Sequence, residues 1–357
     1  MIERIYIDNV RSFVNFEWKP GRLALLLGDN GSGKSALMEV LHAVQAVTEL
    51  GVEVDVAFPS YTRTRWDRRT TQTIEVDARG PVGLYRYKLV LDAARDAPER
   101  TEIREETLHL DDILLADRAR DLPAANGKQT QKSRRARRSA LDRAPRPEVD
   151  GFLSLMQGIW TVSPNPRAMS GRVDEPGEWL QPDLSNFASW YRGLLLRKMG
   201  SVVKALQEMG EILPGFVELT VDPASPAHLQ ARFDPDEGAS YALRFAELSD
   251  GQRLLIALYV LLHTEVQQGR TFLFDEPDNF LALREIQPWL LELMERATQP
   301  QGAQVWLVTH HPEGLNLLAS SHGWRMFRDG AGPTRIERFK GVAGLVPAEA
   351  VARGWAS

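Results

Sequence analysis

The sequence predicts an α/β protein in which helices flank a mixed sheet, with an antiparallel β insertion and a helical subdomain. Three observations carry that expectation. The apolar run LALLL (Leu23 to Leu27) enters GDNGSGKS (Gly28 to Ser35), after which Leu37, Val40, Leu41 and Val44 recur at helical spacing. Two more apolar runs, TFLFDEP (Thr271 to Pro277) and QVWLVTHH (Gln304 to His311), read as buried strands separated by a helix from Leu283 to Ala297. From about Thr73 to Leu115 the pattern alternates at period two between turns.

Taken in order, Ile2, Ile5 and Ile7, then Val10, give a short strand followed by a turn from Arg11 to Phe13. TIEVDA, YRYKLVLDA, ERTEIREE and TLHLDD form the expected meander. Ala116 to Pro147 mixes Pro, Gly, Gln, Asn and Ser with little apolar content and reads as a loop. GIWTVSPNP (Gly158 to Pro166) supplies another strand, and helical text runs from about Asn186 to Met209. The strands FVELTVD, HLQARFD and YALRFAEL follow. LSDGQRLLIALYVLLHTEV (Leu248 to Val266) is a turn and a largely buried helix. Neither an internal repeat nor a sustained heptad pattern is present.

Composition narrows the function classes. Of 357 residues, 43 % are hydrophobic and 25 % charged, which excludes a disordered or collagen-like chain. With no cysteine, thiolate catalysis, disulfides and cysteine-ligated zinc are excluded. The N-terminus lacks an apolar signal region, and the longest apolar run, Leu254 to Leu262, is about half a membrane span. A cytoplasmic location is expected. The net charge is -5, yet Arg118 to Arg146 holds ten Lys/Arg against two acids, leaving -13 on the rest. Any polyanion contact must therefore be local.

The chemistry is carried by short motifs. GDNGSGKS fits G-x-x-x-x-G-K-[ST] between an apolar strand and an amphipathic helix. Gly28, Gly31 and Gly33, with Asp29, Asn30 and Ser32 between them, let backbone N–H groups face a phosphate. Lys34 would reach the β and γ phosphates of ATP, and Ser35 would hold Mg²⁺. Asp275, at the end of a buried strand, is a second Mg²⁺ ligand, and Glu276 can orient or deprotonate an attacking water. In LSDGQR, Ser249 is either an N-cap or part of a helix terminus, with Asp250, Gly251 and Gln252, aimed at a phosphate on a neighbouring subunit.

GDNGSGKS, LSDGQR, FLFDEP and VTHH, in this order, resemble the ABC-type ATPases, and within them the SMC-like and RecF-like branch. The first 44 residues, TVSPNPRAM and LPGF are similar to prokaryotic AAA-type ATPases of OLD-like and Septu-like antiphage systems. The resemblance covers nearly the whole chain and is weakest from Ala116 to Asp150. It implies a P-loop NTPase built as one ABC-type head over 1–357. A nucleotide-binding lobe would occupy 1–177, with the β insertion and a basic loop at 116–150. A helical and signature subdomain would span 178–264, and 265–357 would complete the lobe. It further implies an ATP-sandwiching dimer, with His310 touching the γ-phosphate, Arg11 approaching the nucleotide, and Asn279 to Leu283 signalling between subunits.

Several residues depart from that pattern. PDNFLAL replaces the usual glycine, leucine and His-Pro, and His311 stands where a serine is usual. Gln157 and Asn165 compete for the Mg²⁺-contacting glutamine position. The 46 residues after His311 are too few for the nuclease domain of OLD-type proteins. Asp234 and Asp236 read as loop acids, and Arg104 with His109 as a chance match to an RNase spacing. The functional expectation is an ATPase switch controlling a separate nuclease or toxin in antiphage defence. The rivals are a RecF-type DNA clamp, a transporter ATPase subunit and a non-hydrolysing scaffold. Arg134, Arg135, Arg137 and Arg138 could contact DNA, an acidic partner, or only solvent.

Overall fold

The computed structural model describes residues 1–94, 97–118, 136–141, 146–266, 269–300 and 302–354. The chain forms two compact units. The first comprises Met1–Trp160, Gly269–Thr271 and Ala319–Lys340; the second comprises Thr161–Gln268, Phe272–Leu318 and Gly341–Ser357.

In the first unit the opening strand Ile2–Asp8 buries Ile2, Ile5 and Ile7 and lies in a six-stranded sheet between Phe16–Trp18 and Gln72–Gly80. Gly83–Ala93, Thr101–Leu110 and Ile113–Asp117 extend the same sheet, each antiparallel to its predecessor. The expected meander is therefore part of a larger sheet that recruits the N-terminus. Buried alternation on one face explains this, because Ile74, Val76 and Ala78 sit opposite Ile7, Ile5 and Ile2.

The strand Leu23–Leu27 is buried at all five positions, as its unbroken apolar text requires. It pairs in parallel with Gly323–Arg328, which pairs antiparallel with Thr334–Arg338, so the sheet is mixed. The helix Lys34–Thr48 buries Leu37, Leu41 and Val44. Of the loop expected over 116–150, Ala116 and Asp117 belong to a strand and a helix spans Pro147–Gln157, while 119–135 and 142–145 lie outside the described residues. Pro147 sits in its first turn with Glu148 and Asp150, and Val149, Phe152 and Met156 are buried.

In the second unit the helical text divides into Phe187–Arg197 and Met199–Ile212 at Lys198, whose backbone is non-helical. The strands Phe216–Asp222, His228–Phe233 and Tyr241–Arg244 form a three-stranded antiparallel sheet. The helix Asp250–Thr264 is buried from Leu254 to Leu262. The strands Thr271–Asp275 and Gln304–Val308 are neighbours and are joined by the helix Leu283–Thr298. No described helix is long and apolar enough to cross a membrane.

Candidate functional site

One set of candidate residues is the glycine-rich loop of the first unit. Gly28 has φ +152°, and a side chain there would collide with the Met326 carbonyl oxygen. Gly33 caps the helix Lys34–Thr48 with φ +108° and no side-chain cap. No cap side chain stands at that helix start. Lys34 is buried and folds over the loop, its Nζ donating to the carbonyls of Gly28 at 2.6 Å and Asp29 at 3.1 Å. Ser32 Oγ is buried with no hydrogen-bond partner, while Asp29, Asn30, Gly31 and Ser35 are exposed. An orphaned hydroxyl, an uncapped helix start and a buried ammonium form a cradle that fits a phosphate.

Two props of this loop escape sequence reasoning. Thr334 Oγ1 donates to Ser32 O at 2.9 Å, and Ser12 Oγ lies 2.8 Å from the same Thr334 hydroxyl. Their partners are 302 and 322 residues apart in sequence, beyond any local motif. Arg11 has φ +55° and pairs with Glu39 of the phosphate-loop helix at 2.7 Å.

Another set of candidate residues lies in the second unit. Asp275 ends its strand, and Glu276 turns the chain with φ +50° while its N–H donates to Val308 O at 2.8 Å. The Glu276 carboxylate accepts from Asn279 Nδ2 at 2.6 Å and lies 3.6 Å from His310 Nε2. The next acid, Asp278, is buried and accepts from the Thr309 hydroxyl. Burial pushes the Asp278 carboxyl up from its ordinary value, against the pull of the Thr309 hydrogen bond. Glu276 and His310 are brought together as the motifs suggested. Asp278, Asn279 and Thr309 as their fasteners are the residues the motifs missed.

Ser249 caps the helix Asp250–Thr264 with a complete capping box: its Oγ accepts from Gln252 N at 3.2 Å, and Gln252 Oε1 accepts from Ser249 N at 3.0 Å. Asp250 accepts from Arg253 and, at 3.4 Å, from Arg167 of the SPNPRAM segment. Gly251 lies so close to the Phe280 carbonyl that a Cβ would stand 2.8 Å from it. The signature helix and the loop after Glu276 are therefore packed backbone to backbone.

The remaining candidates are peripheral. Gln157 is the exposed last residue of its helix, and exposed Asn165 precedes the turn Pro166–Ala168. Arg104 and His109 lie on a strand, and Asp234 pairs with Arg232 at 3.1 Å, while Asp236 is exposed. Arg137 is engaged by Glu53 at 2.9 Å and Asp55 at 3.2 Å, and Arg138 by Glu53 at 3.7 Å. Arg134 and Arg135 lie outside the described residues. Glu208, His263 and Glu292 place ligand-type atoms within 4.8 Å of one another. Arg296 Nη2, however, lies 2.9 Å from His263 Nδ1; a guanidinium can only donate, so the ring proton belongs on Nε2, where a metal would need a lone pair.

Comparison with known proteins bears on the fold. Residues 182–316 match a family described as "AAA domain, putative AbiEii toxin, Type IV TA system". That span holds the signature helix, Asp275, Glu276 and His310. No curated protein matches the chain. Among solved structures, an SMC head bound to the C-terminal winged-helix domain of ScpA is similar over 95 % of this chain and 98 % of its own. That match has 14 % identity and a TM-score of 0.56. The SMC head of Thermotoga maritima matches at 14 % identity and TM-score 0.51, covering 95 % and 99 % of the two chains. The SMC head with a coiled coil and joint from Pyrococcus yayanosii matches at 10 % and 0.54, covering 100 % and 99 %. At such identities the likeness is one of fold: the chain has the mixed α/β P-loop architecture of an SMC-like, ABC-type ATPase head.

Proposed function

We propose that the chain binds and hydrolyses ATP as a dimeric switch that governs a separate effector, a nuclease or toxin, in defence against phage. The observation that carries the reading is the uncapped, glycine-started helix with Lys34 folded over its loop. That arrangement offers an anion what a structural turn would have filled with its own side chain. Lys34 and the loop N–H groups take the β and γ phosphates. Mg²⁺, when bound, neutralises the phosphate oxygens, and Ser35 and Asp275 are the residues that would hold it. Glu276 accepts the proton of the attacking water, and His310 beside it faces the γ-phosphate. Ser249, Asp250, Gly251 and Gln252 meet the nucleotide of the second subunit. Arg11, now on Glu39, exchanges that partner for the nucleotide.

The defence role is supported by the family description over 182–316, which names a putative toxin of a toxin–antitoxin system. A direct DNA clamp is the weaker reading, because Arg137 and Arg138 are already committed to Glu53 and Asp55. The test is solution mass by light scattering on Glu276→Gln, with and without ATP and Mg²⁺. Turnover is expected to fall at least ~100-fold, as for loss of a general base. The mass is expected to double with ATP, and Ser249→Arg to abolish the doubling. A monomer under every condition would sink the dimeric switch.

A further inference from the structure

The loop after Asp275 is fastened twice. The first is Asn279, whose amide donates to Glu276 Oε2 at 2.6 Å. Oε1 of the same carboxylate faces His310 Nε2 at 3.6 Å, so the two oxygens are held from opposite elements. The second is buried. Thr309 Oγ1 accepts from His311 N at 2.9 Å, which commits the hydroxyl proton to Asp278. Asp278 is 2 % exposed and Thr309 1 %, so water does not compete for this bond. The clasp ties the Glu276 loop to the turn that carries His310. Leu281 N donates to Asp278 O at 3.1 Å and closes the loop on itself.

We propose that Asn279 is a positioning residue for Glu276: its amide selects the rotamer that aims the carboxylate beside His310, and the Asp278–Thr309 clasp holds the loop in that geometry. This rests on Glu276 being the general base. The physical warrant is that Glu276 sits in the left-handed backbone region, with a half-exposed side chain that has several rotamers open to it. A donor held three residues along selects one of them before water arrives.

The experiment compares Asn279→Ala and Asn279→Asp with the intact chain, following steady-state ATP hydrolysis at one fixed pH. Asn279 is exposed, so both variants keep the fold, and thermal melting checks this. Asn279→Ala is expected to lower kcat about tenfold with KM changed less than about twofold, since alignment and not binding is lost. Asn279→Asp keeps the size of the side chain but has no amide donor, and is expected to show the same split between kcat and KM. A merely structural asparagine would lower the melting temperature without that split. If both variants keep the wild-type kcat while Glu276→Gln loses turnover, the positioning role is overturned and the base survives. If Glu276→Gln turns over like wild type, the assignment of the base falls, and this inference falls with it.

Discussion

Two helices in this chain carry the proposed phosphate-binding motifs at their starts, and they begin in opposite ways. Lys34–Thr48 starts from Gly33 at φ +108° with no side-chain cap and no acid in its first turn. Asp250–Thr264 starts from Ser249 with a complete capping box and Asp250 in its first turn. The first leaves its N–H groups and the positive end of its dipole to an incoming anion. The second has already satisfied two of its own groups and placed a carboxylate where an anion would come. The difference separates a primary phosphate site from a terminus that must trade existing bonds for new ones. A terminus of that second kind suits a contact made only when a partner closes.

Removing the difference at the first helix should have the largest effect. Gly33→Ser supplies the missing cap in a backbone region that L residues avoid, with Cβ 2.9 Å from Thr334 Oγ1. It is expected to cost at least about 1–2 kcal/mol of stability. Filling the cradle should remove one or two charge-assisted hydrogen bonds, about 3 kcal/mol, and so weaken ATP binding ~100-fold. Calorimetry with a slowly hydrolysed analogue measures it, and unchanged affinity would mean the uncapped start is not the phosphate site. At the second helix the paired variants Ser249→Ala and Ser249→Gly sharpen the contrast. As a cap, Ser249 should be worth about 1 kcal/mol against alanine and only a few tenths against glycine. If Ser249→Gly leaves both melting temperature and turnover intact, the serine is a cap alone. A tenfold fall in turnover without a fall in melting temperature would show that its hydroxyl meets the nucleotide.

What the sequence made legible follows the same division. The phosphate loop could be read because its glycines, lysine and serine are contiguous and its flanks change period from a buried strand to an amphipathic helix. Asp275 and Glu276 could be read because a buried strand ends there. The fasteners could not. Thr334, Ser12, Asp278, Asn279 and Thr309 are short polar residues with no periodicity, and four of them act on partners 31 to 322 residues away. The helix Pro147–Gln157 did carry its signals, a proline at the start and two acids in the first turn. The basic text just before it masked them. Arg11 had a local answer that motif reasoning passed over, since Glu39 stands on the next helix.

The smallest expected effect lies at the far end of the capped helix. A cation in the last turn of a helix is favoured by the dipole, yet His263 there is held neutral. Burial, and then the Arg296 guanidinium, push its imidazole down to about 4. Glu292, 3.5 Å away, pulls the other way, while Lys204 adds to the repulsion; Glu208 lies 2.8 Å from Nε2 and Tyr259 stacks on the ring. The unfolded chain takes up this proton as pH falls below about 6.5, and the folded chain does not until near 4. Stability contributed by the neutral ring is therefore complete above pH 6.5 and declines as pH falls through that window, by at most about 1 kcal/mol per unit. Glu208, raised by burial and by Glu292, takes its proton early in the folded state and opposes the loss toward the acid end. The effect is thus read between pH 6.5 and 5.5. His263→Gln should flatten the fall in melting temperature over that range relative to wild type. Parallel curves would show that the ring is charged in the folded chain and that the last turn is organised by its dipole after all.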